Sequence, residues 1–580
     1  MKRTFYLVLS MLVLASMLLS ACGAPAEATE EVKATVAPAA PAAPAATEAP
    51  AAPAATAVPA APAFVGEKLV APDCNYGGNI KSIEATDQYT VTFNFCAADP
   101  AFISKIASVE AFDIYSEANL KATGGDVAKI NENPIGSGPY IVKEWVRGDH
   151  ITFAPNPTYF GDKAANSTFT LKWNKEAAAR LLDLQAGNTT GIVEVTADDM
   201  ASIKADANLA LVPRKLNDFL YMGINNTFAP FDNEKVRQAF AMAIDKQKIV
   251  DDFYAPGSVA ATQFVQEGVQ PGYTKGYKGT TYDPAMAKQM LTDAKFDFSK
   301  EYTLSYAERT RPYFPQPTKI VQAIQAQFAT IGVKIKLEQQ EWAKYLPEVQ
   351  AGKKELFMLG WGEDYPDATD WYDVFLAGTS KNFGTPYADM PPLIKQAATL
   401  GDPAARQKIY DQLNVLYDQH VPMVVIAHGT TNLAFLASAQ NVVVGPYNEN
   451  FPYMKTTDGN VVFEQDGEPV SMMCADETDG NSFRACELVF SKLYRFEWGT
   501  ANPVPDLAEK CVGNADATSY TCTLKKGVTF SDGSAFSAND VVASFSAGYD
   551  YKSPLRKGNT GTYQYFKDLL GGKVINQPAP

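Results

Sequence analysis

The chain has 580 residues, a formal net charge of −15 and 46% hydrophobic residues. That length allows two or three domains with sizeable cores, and the acidic surplus excludes nucleic acid as a natural partner. Beyond the first twenty or so residues no uninterrupted apolar run reaches about 18, so the bulk of the chain reads as soluble.

In chain order, Lys2 and Arg3 precede an apolar run from Phe5 to Leu19, followed by Leu19-Ser20-Ala21-Cys22. A charged start, an apolar stretch and small residues before a cysteine resemble a bacterial lipoprotein signal, with Cys22 as the lipidated residue. Residues 23–65 are almost entirely Ala, Pro, Thr, Val and Glu. Such a segment buries no core, and as an extended tether it reaches on the order of 130 Å at about 3.1 Å per residue. Further on, Val236, Phe240, Ala243 and Ile244 share one helical face, and Asp232 is placed to cap that helix.

Residues 301–375 carry the clearest pattern. Tyr302–Ala307 alternates like a half-buried strand. Pro317–Ile331 puts Ile320, Ile324, Phe328 and Ile331 on one helical face, and Gly332 stops it. Val333–Glu338 alternates again, Trp342–Gln350 forms a short helix, and Glu355–Trp361 is a third strand. This β-α-β-α-β order predicts a mostly parallel sheet. Ligands bind beyond the carboxyl ends of such strands. Arg311 follows the first strand and Asp364 the third. A guanidinium grips a carboxylate with paired hydrogen bonds, and an aspartate accepts from an ammonium. Together they suit a small zwitterion, and an extended dipeptide spans about 7 Å. Read alone, Arg311 is equally a solvated loop residue, and Asp364-Tyr365-Pro366-Asp367 is good turn chemistry.

Seven cysteines leave six once Cys22 is set aside. Cys511 and Cys522 flank a turn at Gly513-Asn514-Ala515-Asp516 and are placed to bond across a hairpin. Cys74 with Cys96 and Cys474 with Cys486 follow as sequence-near pairs, one of the 15 connectivities that six cysteines allow. Cys-x-x-Cys spacing is absent and the three histidines are scattered, so no metal site and no cofactor is expected. The acidic run Glu363, Asp364, Asp367, Asp370, Asp373 does not fit a calcium loop. Gly136-Ser137-Gly138 is not a nucleophile elbow, and neither a zinc-protease motif nor a phosphate-binding loop occurs, so no enzyme is predicted.

Arg311-Pro312-Tyr313, Ile331-Gly332-Val333-Lys334, Glu341-Trp342 and Gly360-Trp361-Gly362-Glu363-Asp364-Tyr365-Pro366-Asp367 resemble the large extracytoplasmic solute-binding proteins of peptide-type ABC transporters. Asn133-Pro134-Ile135-Gly136-Ser137-Gly138-Pro139-Tyr140 and Val236-Arg237-Gln238-Ala239-Phe240 match the same family. The resemblance implies a two-lobed α/β binding protein with a hinge and an extra subdomain. It assigns Arg311 to the peptide carboxylate, Asp364 to the amino terminus, and Trp342 to the pocket, with Trp361 and Tyr365 as further contacts. It also implies a permease partner and a monomer held by lipid on the outer face of the cytoplasmic membrane.

The segments near Asp506-Leu507-Ala508-Glu509, Leu524–Gly533 and Asn539–Phe545 resemble the beginning of family members, yet stand here at the end. The order therefore reads as a circular permutation, with old termini fused near Lys455–Pro469 and new ends opened between Gly572 and Ile80. Lobe I is expected in 66–225 and 451–580, lobe II in 226–450. The alternative is a separate domain at 461–580. Within the family a sugar binder relying on Trp342, Trp361, Tyr365 and Trp371 is the competing reading; a surface sensor or adhesion lipoprotein is the other.

Overall fold

The computed structural model describes residues 64–578 apart from residue 197. The readings of a lipoprotein signal and a tether fall outside the described residues, save for 64 and 65. Among the described residues no helix is long and apolar enough to cross a membrane.

The 301–375 block folds in the order its periodicity predicts. Strand Glu301–Ala307, helix Pro317–Thr330, strand Lys334–Gln340, helix Trp342–Gln350 and strand Leu356–Gly362 follow one another. Glu301–Ala307 pairs in parallel with both other strands. Three antiparallel additions, Asp218–Ile224, Met423–His428 and the short Val259–Ala260, complete a six-stranded sheet. Its central strands, Asp218–Ile224 and Met423–His428, are buried on both faces. Tyr302, Leu304 and Met358 meet Ile320, Ile324 and Phe328 on one side. Phe219, Tyr221, Phe357 and Leu359 meet Tyr345, Trp371 and Phe375 on the other. Alternation along each strand creates these two cores.

A third core is built from segments early and late in the chain. A five-stranded sheet runs Lys68–Val70, Ile80–Asp87, Thr90–Phe95, Ser519–Leu524, Ala508–Gly513, all antiparallel. A seven-stranded sheet inserts Asn460–Gln465 between Thr168–Trp173 and Gly191–Ile192. Residues 461–578 are thus not a module of their own. The Asn79 N–H donates to the Leu570 carbonyl at 3.0 Å, and the Tyr549 hydroxyl ties both stretches, accepting from Asn79 N–H at 3.0 Å. Glycine at 138 lets the chain approach Val489, whose carbonyl accepts from the Gly138 N–H at 2.8 Å; a Cβ there would lie 2.6 Å from the Val489 carbonyl carbon.

The two halves form a two-lobed α/β fold joined by two crossings. Leu209–Lys215 lies in the seven-stranded sheet and Asp218–Ile224 in the six-stranded one; Met423–His428 and Thr430–Leu436 make the return. The divisions read from the sequence, after 225 and after 450, fall beyond these crossings, at 215–218 and 428–430.

All three disulfides join the expected partners: Cys74–Cys96, Cys474–Cys486 and Cys511–Cys522. The last pair stands directly opposite in the hairpin ladder, with its Cα atoms 3.9 Å apart, closer than the 4.4–6.8 Å usual for disulfides. The helix Glu234–Met242 is capped by Asn233, which accepts from Lys235 N–H at 2.9 Å, and not by Asp232.

Candidate functional site

A cavity of about 920 Å³ opens beside the carboxyl end of strand Leu356–Gly362. Leu359 and Trp361 supply its floor, Trp342 and Leu346 one wall, and Phe375 with Thr379–Asn382 another. The sequence builds these walls locally. Glu341 caps the helix that begins at Trp342, accepting from Lys344 N–H at 3.3 Å. One turn on, the buried Tyr345 hydroxyl donates to the Met358 carbonyl at 2.7 Å, fixing helix to sheet. Trp342 is thereby held at the cavity edge. Gly360 leaves room for Tyr313: a Cβ there would stand 2.2 Å from the Tyr313 ring. Glycine in an apolar strand marks such close approaches.

Asp364 and Trp361 line this cavity. Arg311 lines an adjoining recess of about 20 Å³ that shares Tyr313, Trp342, Leu359 and Gly360 with it. The cation and the carboxylate therefore flank one set of aromatic walls. Arg311 sits in a tight turn closed by backbone bonds to Phe314 at 2.9 and 3.2 Å, and its guanidinium donates to the Thr310 carbonyl at 3.3 Å. Among the described residues neither Arg311 nor Asp364 has an ion-pair partner. Burial by its surroundings raises the Asp364 carboxyl above its ordinary value, and the Asp568 carboxylate of the other lobe adds to this. Lys381, which no sequence signal singled out, lines the cavity itself, and Arg309 joins Arg311 in the recess, 4.9 Å from the Trp342 ring.

Two expectations need correction. The cavity residues all belong to the lobe containing 219–427; the opposite lobe contributes none. Tyr365 lines neither space. It turns toward the core of the other lobe, where Lys105 lies 5.1 Å from its ring. Trp371 is also removed from any binding platform, being fully buried and stacked on Phe219 at 4.6 Å.

The rest of the acidic run shapes the loop. Asp367 forms a buried, two-pronged pair with Arg406 at 2.6 and 2.8 Å and caps Thr369 N–H at 3.0 Å. Asp370 accepts from the Asp364 N–H at 2.8 Å and from the Trp361 indole at 3.4 Å. Among the described residues no group of side chains is arranged to hold a metal ion.

Residues 35–383 and 502–577 match the family of bacterial extracellular solute-binding proteins, family 5 Middle. The chain belongs to this family. Its members are extracellular solute-binding proteins. Di/tripeptide-binding protein 1 of Pseudomonas aeruginosa (strain UCBPP-PA14) is 30% identical over 396 residues, covering 66% of this chain and 72% of the relative. The dipeptide-binding protein of Escherichia coli (strain K12) is 26% identical over 379 residues, covering 64% and 70%. HbpA2 from Haemophilus parasuis superposes with a TM-score of 0.59 at 26% identity, over 66% of this chain and 76% of that one.

Burial pushes three carboxyls around the hinge and the cavity well up: Asp218 to about 7, Asp370 to about 7 and Glu363 to about 8. The folded protein then keeps protons that unfolded carboxyls release near pH 4. This contribution to stability is full below about pH 4 and is lost as pH rises through about 7 to 8. Thermal unfolding should accordingly give a midpoint that falls between about pH 5.5 and pH 8.5, and Glu363→Gln should flatten that slope. A midpoint that rises over this range would contradict the assignment.

Proposed function

We propose that this protein captures short peptides outside the cell and delivers them to an ABC transporter permease. The observation that carries the reading is Asp364 in an aromatic-walled cavity with Arg311 in the recess beside it, across shared Tyr313 and Trp342, in a family whose relatives include named dipeptide binders. Asp364 accepts from the peptide ammonium, which supplies the partner that a carboxylate in partly dry surroundings otherwise lacks. Arg311 receives the carboxylate at the far side of Tyr313 and Trp342. The indoles of Trp342 and Trp361 cover the apolar parts of the ligand. Lobe closure follows from contacts better made in the closed state.

Isothermal titration tests the clamp. Losing one side of a buried charged hydrogen bond costs about 2 kcal/mol or more. Asp364→Asn and Arg311→Ala should each weaken dipeptide binding about thirtyfold or more, and N-acetylated peptides should be rejected by the parent. If Lys381→Met weakens binding in place of Arg311→Ala, the carboxylate holder is Lys381. Equal affinity for free and acetylated peptides, or binding of an oligosaccharide and no peptide, replaces the clamp with the aromatic sugar-binding reading.

The protein acts as a monomer tethered through residues 23–65 to a lipid on Cys22. The lipid is the anchor, since acyl chains contribute about 0.8 kcal/mol per buried methylene. Cys22→Ala should leave the chain unacylated and release it from membranes in fractionation. Retention of that variant would remove the lipid anchor.

The segment order is a circular permutation of the family order. The adjacency of Asn79 and Leu570, and the insertion of Asn460–Gln465 into a sheet of earlier strands, support it. Permutation is tolerated where ends lie close and breaks fall on loops. A chain re-ordered so that 461–572 precedes 78 should keep the far-ultraviolet dichroism and the ligand affinity of the parent. Failure to fold would count against this order.

A further inference from the structure

Between the cavity and the hinge lies a buried carboxyl that the clamp does not use. Glu363 directly precedes Asp364. Its N–H donates to the Asn217 carbonyl at 2.9 Å, within the first crossing between the lobes. Its side chain accepts from three donors. The Trp371 indole N–H reaches Oε2 at 2.9 Å. The Asn217 amide and the Tyr447 hydroxyl both donate to Oε1. Tyr447 belongs to the other lobe, where its ring lies on Phe496 at 4.4 Å. The same Asn217 amide also reaches the Tyr447 hydroxyl at 3.3 Å.

Three elements thus meet at one carboxyl: the ligand loop, the hinge strand and the opposite lobe. Trp371 makes the fourth side rigid, stacked on Phe219 one residue past Asp218. Among the described residues no lysine or arginine pairs with Glu363, so the carboxyl is held by neutral donors alone. Burial raises it to about 8, with the Asp370 carboxylate adding and the three donors opposing. A buried polar group sharing its partners this way is costly to leave unpaired. The network therefore has one well-satisfied arrangement, and rotation of the lobes about 215–218 disturbs it.

We propose that Glu363 is a positioning residue that ties the Asp364 carboxylate to lobe closure, through Asn217 at the hinge and Tyr447 on the facing lobe. When the lobes stand together the three donors fix the Glu363 side chain, and the following residue is held at the cavity wall. When they part, the Tyr447 bond is the one that must go, and the Asp364 loop gains freedom. Ligand affinity and lobe position are then coupled through a single bond, because each stabilises the arrangement the other needs. This inference rests on the reading of Asp364 as the ammonium acceptor.

The test uses Tyr447→Phe, which keeps the ring on Phe496 and removes only the hydroxyl, with Glu363→Leu, which removes the acceptor, as the second variant. The probes are alanyl-phenylalanine and its N-acetyl form, titrated against the full chain. Both variants should weaken the free dipeptide about tenfold, while the acetylated one, already held only weakly by the parent, stays as it was, so that discrimination between the two shrinks. The double variant should be no weaker than Glu363→Leu alone, since each change removes the Tyr447–Glu363 bond. Equal weakening of free and acetylated probes, or additive losses, reduces Glu363 to a structural role and overturns the proposal. Hydrogen exchange supplies an arm independent of the ligand. Tyr447→Phe should speed exchange of the Glu363 and Asp364 amides about tenfold while strand Glu301–Ala307 keeps its protection. Unchanged exchange overturns the coupling even if the dipeptide binds. If the parent binds no dipeptide but exchange responds as stated, the ammonium reading of Asp364 falls and the tie to the facing lobe stands.

Discussion

Everything that distinguishes one lobe position from another passes through two short stretches of backbone, 215–218 and 428–430. They are stitched to each other. The Gly429 N–H donates to the Asp218 carboxylate at 2.6 Å, and the His428 ring lies 2.7 Å from the Asp218 carbonyl. Gln266 grips the first stretch from the side, donating to Leu216 and accepting from Asp218. Each crossing also abuts one of the charged loops. Asn217 meets Glu363, and Gly429 lies so near Pro312 that a Cβ would stand 2.5 Å from its carbonyl oxygen. The loops carrying Asp364 and Arg311 are therefore extensions of the hinge, and a rotation there reaches both ends of the cavity at once.

Rigidity elsewhere makes that transmission possible. The Asp364 loop has little freedom of its own, because Asp367 is locked to Arg406 and Asp370 closes the turn from inside. Breaking a buried pair of this kind strands a charge, at a cost of about 3–5 kcal/mol. The acidic run that reads as a solvated turn is in fact a set of separate tasks. One carboxylate faces the cavity, one joins the lobes, one holds an arginine, and one receives the backbone.

Much of this was legible in the residues. The β-α-β-α-β order at 301–375 followed from periodicity, since helices and strands buried on defined faces leave unmistakable spacing. The three cysteine pairs followed from proximity in sequence. Other features left no local trace. That Tyr365 turns toward the far lobe while Trp361 faces the cavity depends on where the other lobe sits. Glu363 looks like any acidic turn residue until Tyr447, 84 positions away, is brought against it. Tyr313 had one faint signal, the glycine at 360 in an otherwise bulky strand.

The uneven path of the chain through the two lobes has a consequence for how it folds. One lobe is a single unbroken stretch from Asp218 to His428, whereas the other must pair Thr92 with Thr521 across 429 positions. Closing so long a loop in an unfolded chain delays the pairing. Once the unbroken lobe has formed, however, its two ends already lie side by side, with the Leu216 N–H 3.4 Å from the Gly429 carbonyl. The intervening 210 or so residues then drop out of the conformational search, and the early and late segments meet as if joined by a short turn. The contiguous lobe thus serves as the template on which its discontinuous neighbour assembles.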